Sequence, residues 1–98
     1  MAYNTLFVRK GFLLVTKYII MCRSLTYAQR ASRILEKHGI SAAVVKAPQG
    51  TSREGCSYGV RVRYDRIGTS TDILRRSGLD IGNVFAIGED GSAREVER

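Results

Sequence analysis

Arg53-Glu54-Gly55-Cys56-Ser57-Tyr58-Gly59-Val60-Arg61-Val62-Arg63-Tyr64 is the stretch on which the fold turns. From Ser57 onward it alternates strictly, with Tyr58, Val60, Val62 and Tyr64 on one face and Ser57, Gly59, Arg61 and Arg63 on the other. That is the period of a strand with one buried and one polar face. Upstream, residues 40–46 are mostly apolar and end before Pro48, which predicts another strand, with residues 49–55 as the connecting loop.

Further upstream, Tyr18-Ile19-Ile20-Met21-Cys22 is a continuous apolar run of strand length, the pattern of a central strand. Ser24 or Thr26 supplies an N-cap, and Thr26 with Gln29 has capping-box spacing. The helix that follows places Ala28, Ala31 and Leu35 toward a core and Arg30, Arg33 and Lys37 toward water. Gly39 stops it. Downstream of Tyr64, a second helix is expected from Ser70 or Thr71, with Ile73 and Leu74 inward and Gly78 as its stop. Residues 83–87 form the last expected strand, and the charged tail from Gly88 is expected to fray.

The order is βαββαβ, which predicts an α+β, ferredoxin-like sandwich: a four-stranded antiparallel sheet with two helices on one face. Residues 17–87 form the domain, residues 88–98 a charged C-terminal tail, and residues 1–16 an N-terminal extension. In the extension, Arg9-Lys10-Gly11 separates two apolar pieces, so it reads equally as a hairpin, an arm packing on a partner, or a start site set too early.

The chain has 98 residues, 44% of them hydrophobic and 26% charged, as in an ordinary globular domain. Its net charge of +7 is uneven: through Arg66 there are twelve Lys/Arg against three Asp/Glu, and beyond it four against six. Such a surface favours an acidic protein, nucleic acid or an anionic substrate. Two cysteines make no disulfide framework, no secretory signal is evident, and the apolar stretch 11–21 is broken by Lys17 and too short for a bilayer. The expectation is a cytoplasmic protein with reduced thiols and no membrane association.

In the expected topology the carboxyl end of the first strand meets the amino end of the third. Cys22 closes one and Cys56 opens the other, so both thiols are expected at one edge of the sheet. The amino terminus of the first helix arrives there too, and its N–H groups favour an anion such as a thiolate. Arg23 and Arg53 add charge from the flanks, as do Arg75 and Arg76 from the second helix. Cys56, in a polar loop between Gly55 and Gly59, is the functional candidate; Cys22, ending an apolar run, reads first as a buried small hydrophobe. His38 sits at the far end of its helix, roughly 20 Å from these thiols at 1.5 Å per residue, which removes a Cys–His pair. No metal site or cofactor motif emerges: a copper loop would need Cys-x-x-Cys, and residues 50–55 lack the Lys-Ser/Thr of a P-loop.

Three features resemble the selenium/sulfur carrier protein-like family of small bacterial domains: Tyr18-Ile19-Ile20-Met21 followed by Ser24 and a helix, Pro48 after the second strand, and Gly55-Cys56 leading into Val60-Arg61-Val62. The similarity covers about residues 17–87. Family members often read Cys-Gly at the thiol; here it is Cys56-Ser57. The resemblance implies a carrier rather than a turnover catalyst, with Cys56 holding sulfane sulfur or selenium as a persulfide or selenosulfide. Cys22 is a candidate resolving thiol, and Gly55, Ser57, Arg53, Arg23 and Ser24 would surround the site. Donor and acceptor proteins are the implied partners, and whether the cargo is sulfur or selenium stays open. The alternative is a basic ferredoxin-like module that binds RNA or an acidic protein, although the third strand lacks the stacking aromatics of an RRM. A homodimer paired through an open sheet face at Ile19 or Met21 is also expected.

Overall fold

The computed structural model describes residues 14–48 and 58–96. Its elements are β1 (Val15–Cys22), α1 (Leu25–Lys37), β2 (Ala43–Lys46), β3 (Tyr58–Arg63), a 3-10 turn (Tyr64–Arg66), α2 (Ile67–Arg76), β4 (Ile81–Gly88) and β5 (Ala93–Val96). They form a two-helix, α+β structure whose sheet runs β2-β3-β1-β4-β5, every neighbouring pair antiparallel.

The sheet has five strands where four were expected. Gly88 to Gly91 makes a tight turn: the Gly91 N–H donates to the Gly88 carbonyl, and Gly91 takes φ +88°, a value suited to glycine. Asp90 fixes the exit by accepting the Ser92 N–H at 2.9 Å. The tail expected to fray therefore returns along β4, with Ala93 opposite Ile87 and Val96 opposite Val84.

β1 lies at the centre, and its second half, residues 19–22, is buried on both faces. On one side Ile20 and Cys22 join Val60, Val62 and Val84 beneath Ala28, Ala31 and Leu35 of α1 and Leu74 of α2. On the other, Ile19 and Met21 meet Phe85 and Ile87 in a second cluster that contains no helix residue. Ile19 and Met21 lie on that second face as expected, but they are not exposed: Ile19 is 7% and Met21 5% accessible, with Phe85 and Ile87 at 5% and 6%.

Both helices end in the same way. Gly39 and Gly78 adopt φ near +80°, and the residue after each, Ile40 and Leu79, donates its N–H five residues back, to Leu35 and Leu74. These five-back bonds are Schellman closures, and each drops a buried aliphatic side chain into the core as the chain leaves the helix. Ile40 thus belongs to the cap of α1, and β2 begins three residues later than its apolar pattern suggests. α2 starts earlier than expected, at Ile67, with Ser70 and Thr71 buried inside it. Tyr64, expected on the buried face of the third strand, belongs to the 3-10 turn and is 43% exposed. No helix of the described residues is long and apolar enough to cross a membrane.

Three predictions follow from this packing. A Cβ on Gly59 would stand 2.5 Å from the Ile20 carbonyl oxygen, a backbone atom that cannot give way. Gly59→Ala should therefore cost at least about 2 kcal/mol in urea unfolding or abolish folding; an unchanged midpoint would contradict the register. Among the described residues the fully buried Ser70 hydroxyl has no hydrogen-bond partner, so Ser70→Ala should leave stability unchanged or raise it by about 1 kcal/mol. The Ser92 backbone N–H, foremost, holds the Asp90 carboxyl below its ordinary value. Its contribution is therefore present above about pH 4, the unfolded value, and is lost as pH falls through the lower folded value. Asp90→Ala should remove that part of the acid dependence, as read from unfolding curves across pH.

Candidate functional site

Cys22 ends β1, and its Cα partner on β3 is Tyr58, the second residue after Cys56 in sequence. Lys46, the last residue of β2, is also opposite Tyr58, and Ile81, the first of β4, is opposite Cys22. One end of the sheet therefore collects the carboxyl ends of β1 and β2 and the amino ends of β3 and β4. The amino terminus of α1 and the carboxyl terminus of α2 adjoin it through two-residue and four-residue connections.

Among the residues expected at the site, Cys22, Arg23 and Ser24 are described. Cys56, Gly55, Ser57 and Arg53 lie outside the described residues. Cys22 is 1% exposed, and its Sγ donates to the Ile20 carbonyl at 3.8 Å. Its place beneath the helices follows from the alternation of β1, which sends Ile20 and Cys22 to the same side. That is the behaviour of a small hydrophobe, as the apolar run implied.

Ser24 is the N-cap of α1. It has extended backbone angles, and its hydroxyl accepts the Tyr27 N–H at 3.3 Å while its carbonyl accepts the Ala28 N–H at 2.9 Å. Of the two candidate caps, Ser24 takes the role, and Thr26 lies within the first turn. That turn contains no acidic residue, so nothing in it offsets the positive end of the helix. Arg23 precedes the cap and lies over the Tyr27 ring at 5.4 Å, and Arg30 lies over the same ring at 5.6 Å. Sequence spacing puts Tyr27 and Arg30 on adjacent positions of the helix, but nothing in the sequence showed that Arg23 also stacks on the ring.

Lys46 is exposed at the same end, as are Arg75 and Arg76 in the last turn of α2. Arg76 pairs with Asp72 one turn earlier, at 3.2 Å. His38 is remote from this end: its Nδ1 lies 2.9 Å from the Ile34 carbonyl at the close of α1. Among the described residues no group of three or more His, Cys, Asp or Glu side chains is arranged to hold a metal ion.

These elements give the site its chemical character. It is an end of the sheet with a positive helix terminus and several cations, at which β2 ends and β3 begins. A family model described as "Putative Se/S carrier protein-like" matches residues 17–86, from within β1 to within β4. No curated protein and no solved structure matches the chain. The matched stretch includes both cysteines, both helices and four of the five described strands in whole or in part, and the chain belongs to the Putative Se/S carrier protein-like family.

Proposed function

We propose that this protein carries sulfane sulfur or selenium on Cys56 and passes it between partner proteins. The observation that carries the reading is the pairing of Cys22 with Tyr58. Consecutive Cα atoms are about 3.8 Å apart, so the chain cannot place the Cys56 Cα more than about 7.6 Å from that of Tyr58. Cys56 is thereby tethered to the end of the sheet where α1 begins. The α1 terminus and Arg23 favour the anionic form of a nearby sulfur, whether thiolate or persulfide. The order of the first four strands supports reading the domain as the ferredoxin-like arrangement, in which this end receives the loop between β2 and β3.

The chemistry is thiolate exchange. The Cys56 thiolate attacks the outer sulfur of a donor persulfide, a new S–S bond forms as the donor's S–S bond breaks, and the donor leaves as a thiolate. An acceptor thiolate then attacks the same outer sulfur and releases Cys56. The sulfane atom keeps its oxidation state, so neither step needs an oxidant or reductant. Selenium follows the same balance when the donor presents it as a selenosulfide anion, with attack at selenium. A second outcome involves Cys22: attack of its thiolate on the Cys56 sulfur forms a disulfide and expels hydrosulfide. Because Cys22 is buried, this branch requires the end of β1 to open.

RNA binding draws less support. The sheet face on which an RRM stacks bases corresponds to the side bearing Ile19, Met21, Phe85 and Ile87, all buried. The same burial weakens a face-to-face homodimer.

Reduced protein treated with a small sulfane-sulfur donor should gain one sulfur atom in its intact mass, and Cys56→Ser should show no such gain. Equal adducts on both proteins would remove Cys56 as the carrier. Cys22→Ser should keep the adduct and lower the slow release of sulfide from it. Unaltered release would leave Cys22 as a packing residue alone.

A further inference from the structure

We propose that the outward face of α1 is a docking surface for an acidic protein. The partner's role, as donor or acceptor of the carried atom, rests on the carrier reading above; its charge is argued from the helix alone.

The buried side chains Ala28, Ala31 and Leu35 fix which way α1 faces the core. At 3.6 residues per turn, Arg30, Arg33 and Lys37 then recur three and four residues apart on the opposite side. All three are exposed. Neighbouring like charges at this spacing weaken a helix rather than support it. Glu36 is the single acid within Leu25–Lys37, and among the described residues none of the three cations has a carboxylate partner. Elsewhere the structure does supply such partners: Arg63 pairs with Asp65 at 2.9 Å and Arg76 with Asp72. The helix therefore bears a run of positive charge that no carboxylate among the described residues neutralises.

The same surface continues toward the sheet end that holds Cys22. Arg23 and Arg30 both lie over the ring of Tyr27. Stacking restricts the two guanidinium groups before any partner arrives, so less conformational freedom is lost on binding. Arginine and tyrosine are also the residues that most often anchor interfaces. Leu25, 40% exposed beside them, adds apolar area at the helix start. A partner lying along α1 would thus have one margin next to the carboxyl end of β1, where β3 begins.

A protein fits better than a nucleic acid. The aromatic ring on this face is already covered by guanidinium groups, and the sheet offers no open platform for bases.

The test uses the full chain and fluorescein-labelled hexaglutamate at low ionic strength, read by anisotropy. Arg30→Gln/Arg33→Gln/Lys37→Gln removes three charges from α1. Arg61→Gln/Arg63→Gln/Arg66→Gln removes three from β3 and the turn after it. All six positions are exposed, and far-UV circular dichroism verifies that both variants fold. The α1 variant should bind at least about tenfold more weakly, and the β3 variant less than about twofold more weakly. Equal losses would make the effect one of net charge and overturn the proposal, as would absence of binding by the unaltered chain. Tighter binding of a labelled oligouridylate than of hexaglutamate, lost in the α1 variant, would overturn it in favour of RNA. Sulfur loading by a small-molecule donor is recorded on the same samples. Loading that persists in the α1 variant while peptide binding is lost separates docking from carriage. A failure of the carrier reading would instead show as no adduct on the unaltered chain, whatever the peptide does.

Discussion

Everything in this molecule is arranged around the double burial of β1. A strand covered on one face can alternate, but a strand covered on both must be apolar throughout. Tyr18-Ile19-Ile20-Met21-Cys22 meets that demand, and the pairings of β1 with β3 and β4 fix the register of the whole sheet. The same register sets Gly59 beside Met21, where the strands approach too closely for a side chain to fit. The place of Cys22 is a by-product of this constraint: it is the last inward residue of the stretch 19–22, in which every residue is buried.

The polar end of the domain is built from what β1 does not use. Once the strand stops at Cys22, the chain turns through Arg23 and Ser24 into α1, and the cap leaves the helix dipole directed at the end of the sheet. The loop between β2 and β3 departs and returns at that same end. The stretch matched by the family spans this end of the sheet, where the positive end of α1 gathers with Arg23 and Lys46. The two helix closures serve a different purpose. Ile40 and Leu79 each carry the chain straight from helix into core, so both halves of the domain lock their helices to the sheet by the same device.

Much of this was legible in the sequence because the signals were local. Ala28, Ala31 and Leu35 fell on one helical face, Ser24 had the right chemistry for a cap, and Gly39 and Gly78 marked two stops that the backbone then required. The start of α2 was not legible. Its N-cap is Arg66, which makes no capping hydrogen bond, and Gly68 in the first turn argues against a helix on propensity. Ser70 and Thr71 resemble caps but are buried inside, Thr71 bonding back to the Ile67 and Gly68 carbonyls. β5 was missed because Arg94 and Glu95 hide a short strand in a charged tail, although Asp90-Gly91 was a readable turn. The α1 basic stripe was visible as residue types, but its coupling to Arg23 through Tyr27 depends on the path of the chain between β1 and the helix.

The fifth strand lies beyond the stretch matched by the family, and it changes how the sheet ends. Without it, the eight-residue β4 would present a long row of unpaired backbone groups, an invitation to strand addition by another molecule. With it, the outermost described strands are β2 and β5, four residues each. Pro48 follows two residues after β2 and has no amide hydrogen to extend the ladder, while β5 carries Arg94 and Glu95 in its middle. Short, charged or proline-ended margins make poor templates, so the sheet is guarded against edge-to-edge aggregation.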